Sequence, residues 1–459
     1  MSRVRVRPAA LAAVLIALLV TALAGPGPAR SAEPEGAQFV LTALETLQEH
    51  YVDPLPSARM LNAALDTLRQ ELAISPFGGR IPESAPDREA AALFTQRFNE
   101  IASQAADHSL NDLAFVAAGG MLQSLHDSHT GFIPPAIYQE EERRENGEAA
   151  FTGVGILLMA RDGQFYVNQV YPGGPAEGAG VRPFDRVVAV NGNTIDGLKM
   201  DEVSAMIRGP AGTRCVLTVA RPGADHPVEI VITRRPITLP GVVSKMLDGG
   251  IGYLRIYEFL PRTGNDFRDA IFSLRRSRMQ ALILDLRGNP GGLVDELRDI
   301  ASALLPPSSA FLRMQTRAGR QIVMETTTPP ILPSSLPVVV LVDEETGSAA
   351  ELLAAALKEQ SRAVIAGDKT AGAVEIGITV GLPLGAGMSI TVARVLTGKG
   401  VRLEGHGVTP DVPESLTTSS INLGRDNQLD RAIDLIRKTL NRAGVRVTRP
   451  ILSIQGKAA

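Results

Sequence analysis

Ser348 has the sequence context of a nucleophile. It follows an apolar run predicted to be a strand over 336–342 and precedes a helix predicted over 349–360. A serine at such a junction lies beside the first N–H groups of the helix, which stabilise the negative charge that develops during attack. The same pattern is also typical of a helix cap, in which Ser348 and Glu351 form a capping box. This segment alone leaves both interpretations open.

A second segment joins an apolar strand to a glycine-rich loop. The strand is predicted over 281–286, and the loop reads Arg287-Gly288-Asn289-Pro290-Gly291-Gly292. Strands such as this one alternate with helices along residues 251–413, which is the order expected of an α/β layer arrangement.

The segment His126-Asp127-Ser128-His129 contains the histidines with the most suggestive spacing. The ordinary pKa of histidine lies near neutral pH, which suits the side chain to general-base chemistry. Two histidines this close also resemble metal ligands, but the sequence places no further ligand beside them. We therefore expect neither a metal nor another cofactor.

Residues 151–235 switch to short strands separated by Gly and Pro turns. The loop Gly153-Val154-Gly155-Ile156 resembles the carboxylate-binding loop of a PDZ domain, because its glycines let consecutive N–H groups face one point. In PDZ domains the following strand offers an edge to which an extended peptide adds. The resemblance implies that the partners are the C-termini of peptides or proteins.

The chemical segments together resemble the C-terminal processing (tail-specific) serine peptidases. The pattern D-L-R-x-N-x-G-G, a later strand and then G-S-A-x-E occur here in the order of that family. The resemblance implies that Ser348 is the nucleophile. It also implies an oxyanion hole built from the N–H groups of Ala349 and of Gly291 or Gly292.

One position departs from the usual pattern of that family. Most members use a serine–lysine dyad, and the lysine position is occupied by Ala373 in this sequence. The glutamine that often supports the lysine falls at Gly377. The fold and the nucleophile therefore transfer by resemblance, whereas the general base does not.

Three interpretations of the missing lysine remain. In the favoured one His129 is the base, assisted by Ser128 and Glu404, as in relatives of the tricorn-protease type. In the second, Lys369 or Lys399 supplies an amine from a shifted position. In the third, the chain is a catalytically inactive, PDZ-containing peptide-binding scaffold derived from the same family.

The N-terminus predicts export. Three arginines precede an apolar run over residues 9–24, and small residues follow, which is typical of a secretory signal peptide over 1–31. The mature protein is then expected in the periplasm or outside the cell, and an uncleaved leader would leave it membrane-associated. The leader carries four arginines and no acid, so its removal takes the formal charge from −3 to −7. This acidic balance argues against nucleic acid as a partner.

The fold class predicted for the chain of 459 residues is multi-domain α/β. After the leader we expect a helical N-terminal region (32–150), a PDZ β module (151–235), an α/β peptidase core (236–420) and a helical C-terminal tail (421–459), with its helix over 429–442. The single cysteine, Cys215, cannot form an internal disulfide and is expected to be a buried strand residue. The sequence leaves homo-oligomerisation open.

Overall fold

The computed structural model describes residues 35–73, 79–105, 107–145, 151–237 and 240–442. The predicted leader lies outside these residues. Among them, no helix has both the length and the apolar character needed to cross a membrane. The predicted class is confirmed: a helical N-terminal region, a PDZ β module and an α/β core follow one another along the chain.

The N-terminal region packs four helices around an apolar core. Leucines at helical spacing face that core, as the sequence predicts, and Leu61, Leu65 and Leu68 are completely buried. A short strand and a further helix then lead toward the PDZ module. These elements are α1 (Ala37–His50), α2 (Ser57–Glu71), α3 (Asp87–Gln104), α4 (Leu110–Gln123), β1 (Gly131–Ile133) and α5 (Pro135–Glu145).

The PDZ module is an antiparallel sheet with strand order β3-β4-β5-β7-β8, in which β3 is an edge. Cys215 lies in β7 with no exposed surface, so the prediction of a buried strand residue is confirmed. The elements are β2 (Phe151–Gly153), β3 (Ile156–Arg161), β4 (Gln164–Val170), α6 (Pro175–Ala179), β5 (Arg186–Val190), β6 (Asn193–Thr194), α7 (Met200–Ile207), β7 (Arg214–Ala220), β8 (Val228–Thr233) and β9 (Arg235–Ile237).

The core is built on a sheet with strand order β10-β11-β12-β15-β16-β19, parallel except for β10. Both of its faces are covered by helices, which explains the uninterrupted apolar runs in β12 and β15. The elements are β10 (Val242–Leu247), β11 (Ile251–Ile256), α8 (Thr263–Arg276), β12 (Ala281–Asp285), α9 (Val294–Leu304), β13 (Ala310–Thr316), β14 (Gln321–Glu325), β15 (Val338–Val342), α10 (Ser348–Glu359), β16 (Val364–Gly367), β17 (Ile376–Gly381), β18 (Gly387–Thr397), β19 (Val412–Pro413), α11 (Thr418–Asn422) and α12 (Asn427–Arg442).

A second sheet attaches the N-terminal region to the core. Its long strand β18 pairs with β17 along one edge, and on the other edge it pairs with β1 at one end and β13 at the other. The pairing of Gly131 with Ser389 places the segment that contains His129 beside the core. Residues far apart in the sequence therefore meet at one end of β18.

Several predicted boundaries are wrong by one or two residues. The strand predicted from 336 begins at Val338, because the N–H of Leu336 closes a turn onto the Pro333 carbonyl at 3.1 Å. The strand predicted over 281–286 ends at Asp285, and the helix predicted from 349 begins at Ser348. The final helix begins at Asn427, two residues before its predicted start.

Candidate active site

Ser348 is the first residue of α10 and has a strained backbone. Its φ of 48° lies in the left-handed region, which is costly for a residue with a side chain and is concentrated at functional sites. The residue that precedes the helix is Gly347, and the backbone N–H of Ser348 points at Glu351 Oε2 at 3.2 Å. Of the capping box, only this bond is formed, because among the described residues the Ser348 hydroxyl accepts no N–H in return. Among the described residues, the Ser348 Oγ has no hydrogen-bond partner and remains free to attack.

The glycine-rich loop packs directly against this serine. A Cβ at Gly291 would lie 2.5 Å from Ser348 Cβ and 2.9 Å from the Ala349 nitrogen, so only glycine fits. The φ of Gly291 is 106°, which a residue with a side chain rarely adopts. The Ala349 N–H lies in the first turn of α10, where no intrahelical acceptor exists. The loop and the helix start thus face each other across the Ser348 side chain.

Asn289 fixes the loop, and the sequence analysis did not identify it as a functional residue. Its side chain is completely buried, accepts the Gly291 N–H at 2.8 Å and donates to the Ile256 carbonyl at 2.9 Å. Its own carbonyl accepts the Gly347 N–H at 2.9 Å. Because the Gly291 N–H is already used, the N–H of Gly292 is the better candidate for an oxyanion donor.

The buried carboxylate of Glu351 joins the nucleophile turn to the loop over 370–373. Glu351 has no exposed surface and accepts the N–H groups of Gly372 at 2.8 Å and Ala373 at 2.9 Å, as well as that of Ser348. The Ala373 carbonyl in turn accepts the Ser348 N–H at 2.8 Å. The position of the missing lysine is therefore a direct backbone neighbour of the nucleophile.

Ser128, His129 and Glu404 form a hydrogen-bonded chain. The Ser128 hydroxyl donates to Glu404 Oε1 at 2.7 Å and lies 2.8 Å from His129 Nδ1. Because the single hydroxyl hydrogen points at Glu404, the hydrogen of the second bond must be on Nδ1. His129 Nε2 is then left with a lone pair, as a general base requires. The other Glu404 oxygen accepts the Val374 N–H at 2.8 Å, next to Ala373.

Asp127 holds the segment that carries His129. Its carboxylate accepts the His129 N–H at 2.9 Å, the Thr391 hydroxyl at 2.6 Å and the Tyr51 hydroxyl at 2.9 Å. Burial and this carboxylate together raise the pKa of Tyr51, which keeps the phenol protonated and donating. In the sequence, only the position of Asp127 two residues before His129 hints at this role. The hydroxyl groups that donate to Asp127 come from the end of α1 and from β18.

Burial lowers the pKa of His129, and the carboxylates of Glu404, Asp127 and Glu351 oppose that effect without reversing it. The imidazole is therefore neutral at neutral pH, with Nε2 able to accept a proton.

Of the two family positions that differ in this chain, Ala373 is hydrogen-bonded to Ser348 and Gly377 lies beside His129. A Cβ at Gly377 would lie 3.5 Å from His129 Cβ, in ordinary van der Waals contact with the histidine. At the family lysine position, Ala373 has no amine that could act as a base. Lys369 is exposed, and Lys399 donates to the carbonyl of Glu359 at the far end of α10, about 16 Å along the helix from Ser348. Hydrogen bonds from Ser128 to Glu404 and from Val374 to Glu404 link the segment of His129 to the loop that follows Ala373, whereas Lys399 lies at the far end of α10.

The predicted peptide-binding loop precedes the edge strand β3. The carbonyl of Val154 accepts the Ala176 N–H at 2.8 Å, and that of Gly155 accepts the Tyr171 N–H at 3.0 Å, which hold the loop between β2 and β3. Gly155 has a φ of 83° and lies between the side chain of Ile237 and Gly174. Within the described part of the chain, β3 pairs only with β4, so its other edge is open to an extended peptide.

The PDZ module touches both loops of the nucleophile. Gln169 donates to the Arg287 carbonyl at 3.2 Å, and Arg161 forms an ion pair with Glu344 at 2.8 Å. The first contact is at the start of the glycine-rich loop, and the second is in the turn before Ser348. Among the described residues, no group of three or more His, Cys, Asp or Glu side chains is placed to hold a metal ion.

Family profiles and curated relatives match both the core and the PDZ module. The profile of Peptidase family S41 matches residues 250–414, and a PDZ domain profile matches residues 166–221. The carboxy-terminal processing protease CtpA of Bacillus subtilis is 33% identical over 304 residues, covering 65% of this chain and 63% of that protein's length. The carboxyl-terminal-processing protease of Synechocystis is 32% identical over 330 residues, covering 70% of this chain and 76% of that protein.

Solved structures share the fold. The photosystem II D1 C-terminal processing protease superposes with a TM-score of 0.53 at 26% identity, covering 84% of this chain and 96% of that one. A putative S41 protease from Bacteroides fragilis gives a TM-score of 0.54 at 16% identity, covering 92% of this chain and 100% of that one. The second similarity concerns the fold alone.

Proposed function

Because the chain belongs to peptidase family S41, a family of serine peptidases, we propose that it is an exported endopeptidase that recognises the C-termini of peptide or protein substrates through its PDZ module. Ser348 is the nucleophile, His129 is the general base, and Glu404 supports the base through Ser128. The N–H groups of Ala349 and Gly292 hold the oxyanion, while Gly291 shapes the space beside the nucleophile.

The proposed reaction is acyl transfer to Ser348. The Ser348 Oγ forms a bond to the scissile carbonyl carbon while its proton moves to His129 Nε2. Charge on the tetrahedral oxygen is held by the two backbone N–H groups. The histidine then gives the proton to the leaving amine as the C–N bond breaks, and a water molecule releases the acyl group by the same steps in reverse order.

The chain of hydrogen bonds from Glu404 through Ser128 to His129 is the observation that carries this proposal. Ser128 and Glu404 are 276 residues apart, yet their side chains meet at 2.7 Å beside the imidazole. This arrangement supplies an oriented base next to the position where the family lysine is missing. The alternative, an inactive peptide-binding scaffold, would not require an oriented histidine at that place.

Labelling with a fluorophosphonate probe tests the nucleophile directly. We expect the purified mature protein to be labelled and to hydrolyse peptides, and we expect Ser348→Ala to abolish labelling and to lower kcat/KM by about 10⁴-fold or more. Ser415→Ala, at an exposed hydroxyl that bonds Asp368, is the matched control. A wild-type protein that is neither labelled nor active would favour the scaffold.

Export and C-terminal recognition are separate parts of the proposal. Sequencing of the exported protein should give an N-terminus near Ala32, and finding Met1 there would favour an anchor. Peptides with a free C-terminus should bind the loop over 153–156 more tightly than amidated peptides, because the carboxylate accepts backbone N–H groups. Equal affinities would remove the carboxylate-loop assignment.

A further inference from the structure

A cavity of about 630 Å³ lies beside the hydrogen-bonded chain, outside the nucleophile turn. Ser128 and Glu404 form part of its wall, and neither Ser348 nor His129 lines it. The rest of the wall comes from α4, from β1, from the segment between them that contains His126 and Asp127, and from the loops that contain Gly372 and Gly405. We propose that this cavity is a substrate subsite that binds the side chain of a lysine or arginine. The inference rests on the proposed peptidase function.

Gly119 leaves space in the cavity, although glycine is unfavourable inside a helix. Gly119 and Gly120 are consecutive residues inside the 14-residue helix α4, where each glycine costs about 1 kcal/mol relative to alanine. Gly120 has a packing reason, because a Cβ there would lie 2.0 Å from Thr67 Oγ1. A Cβ at Gly119 would meet no atom within 4 Å, so packing does not require glycine. A larger side chain at 119 would instead project into the cavity.

The charges of the wall favour a cation. Asp127 and Glu404 line the cavity, and neither forms an ion pair with any cation among the described residues. Each ionised carboxylate has about four acceptor positions. The protein supplies three donors to Asp127 and two to Glu404, so positions on both remain. No lysine or arginine lines the cavity, and His126 is the one residue of its wall that could carry a positive charge.

The position of the cavity indicates which substrate residue it receives. One hydrogen bond and the width of the imidazole ring separate Ser128 Oγ from the Nε2 atom that faces the scissile bond. An extended peptide rises about 3.3 Å per residue. The bound side chain therefore belongs to a residue about two or three positions from the scissile bond.

Internally quenched peptides with a constant free C-terminus test the subsite in the full mature protein. One position at a time, within three residues of the cleaved bond, is varied among lysine, arginine, norleucine and glutamate. At one of these positions we expect kcat/KM for lysine and arginine to exceed that for norleucine by about tenfold, the size of a charge-assisted hydrogen bond, and glutamate to be poorest.

Two kinds of variant connect this preference to the cavity. Gly119→Leu fills the space, and Gln123→Lys adds a cation at an exposed lining position, so each should reduce the ratio of lysine to norleucine to about one. Gly119→Ala and Gln123→Glu should keep the ratio. Gly178→Leu, in α6, is the control for the leucine substitution, because a Cβ there also meets no atom within 4 Å. Fluorophosphonate labelling verifies that each variant is folded.

Each possible result either supports or overturns the proposed subsite. Hydrolysis with no basic preference at any position, or a preference that survives both Gly119→Leu and Gln123→Lys, would overturn the subsite and leave the peptidase intact. If no peptide is hydrolysed, binding of the same peptides to Ser348→Ala protein is measured by fluorescence anisotropy. Tighter binding of basic peptides that Gly119→Leu removes supports the subsite although the proposed function fails, and equal binding overturns it.

Discussion

The nucleophile and the proposed base are held in different ways. Ser348 and the glycine-rich loop follow adjacent parallel strands, β15 and β12. Two short hydrogen bonds join them, in which Asn289 accepts the Gly347 N–H and Asp343 accepts the Gly288 N–H. His129 depends on contacts between α1's end, β18 and the loop over 403–407, which are distant in sequence. One half of the site is built locally, and the other is assembled by the tertiary fold.

This difference explains how the base can change while the nucleophile stays the same. The loop over 370–373 is fixed through its backbone N–H groups, which donate to Glu351 whichever side chain occupies position 373. Ala373 and Gly377 therefore do not disturb the nucleophile turn. The proposed base, His129, comes from another part of the chain.

Among the variants that test this comparison, His129→Ala, in the assembled half of the site, should lower activity the most. Removal of a general base typically costs about 10²–10⁴-fold in kcat. Lys369→Ala and Lys399→Ala are the matched controls and should leave peptide hydrolysis within about twofold, because Lys369 is exposed and the Lys399 amine is hydrogen-bonded at the far end of α10. Steady-state kinetics on one peptide measures all three. Strong loss with Lys369→Ala and full activity with His129→Ala would reverse the assignment.

A single added methyl group should disrupt the locally built half of the site, which consists of Ser348 and the glycine-rich loop. Gly291→Ala places a Cβ 2.5 Å from Ser348 Cβ and strains a backbone with a φ of 106°, so the loop must move. We expect kcat to fall by about 10²–10³-fold, the cost of losing an oxyanion donor. Gly178→Ala, where the added atom meets nothing, is the control. An active Gly291→Ala enzyme would contradict the close approach of the two loops.

The sequence predicts the local half better than the assembled half. Apolar runs, glycines and the serine at a strand–helix junction predict β12, β15 and α10 within two residues, because these features depend on neighbours in the chain. The sequence does not predict the hydrogen bonds of Asn289 or those of Glu351 to the loop over 370–373, since these partners depend on loop geometry. Ser128, His129 and Glu404 were grouped only through a resemblance, because no local pattern connects residues so far apart.

Glu404→Gln should have a moderate effect with a defined pH dependence. Its carboxylate raises the pKa of His129 against the effect of burial, so its removal lowers that pKa further. Because the neutral imidazole is the base, activity falls as pH drops through this pKa, and the acid limb of kcat/KM should move to lower pH. We expect kcat to fall by about tenfold, since one amide oxygen cannot replace both carboxylate oxygens that accept from Ser128 and Val374.

Asp430→Asn, at an exposed ion pair with Arg425, is the control for loss of one charge and should leave the limb in place. A limb that moves to higher pH with Glu404→Gln, or does not move, would show that Glu404 does not act on the group that titrates.

The smallest expected effect comes from restoring the family lysine in the His129→Ala background. In Ala373→Lys the backbone bonds to Ser348 and Glu351 are retained, because they use only main-chain atoms of residue 373. We expect a gain of up to about tenfold over His129→Ala, less than a full general base supplies, because Gly377 gives the amine no supporting side chain. Adding Gly377→Gln should increase the gain, since it restores the glutamine that often supports the lysine in the family.

Ala371→Lys is the matched control for this restoration, because residue 371 is exposed on the same loop. It should recover no activity. The acid limb of the rescued enzyme should also lie at higher pH than in the wild type, since an amine loses its proton at higher pH than a buried imidazole. Equal gains from lysine at 371 and 373 would show that the amine acts through general charge and not as a base beside Ser348. The two halves would then not be separable in the way that their hydrogen bonds indicate.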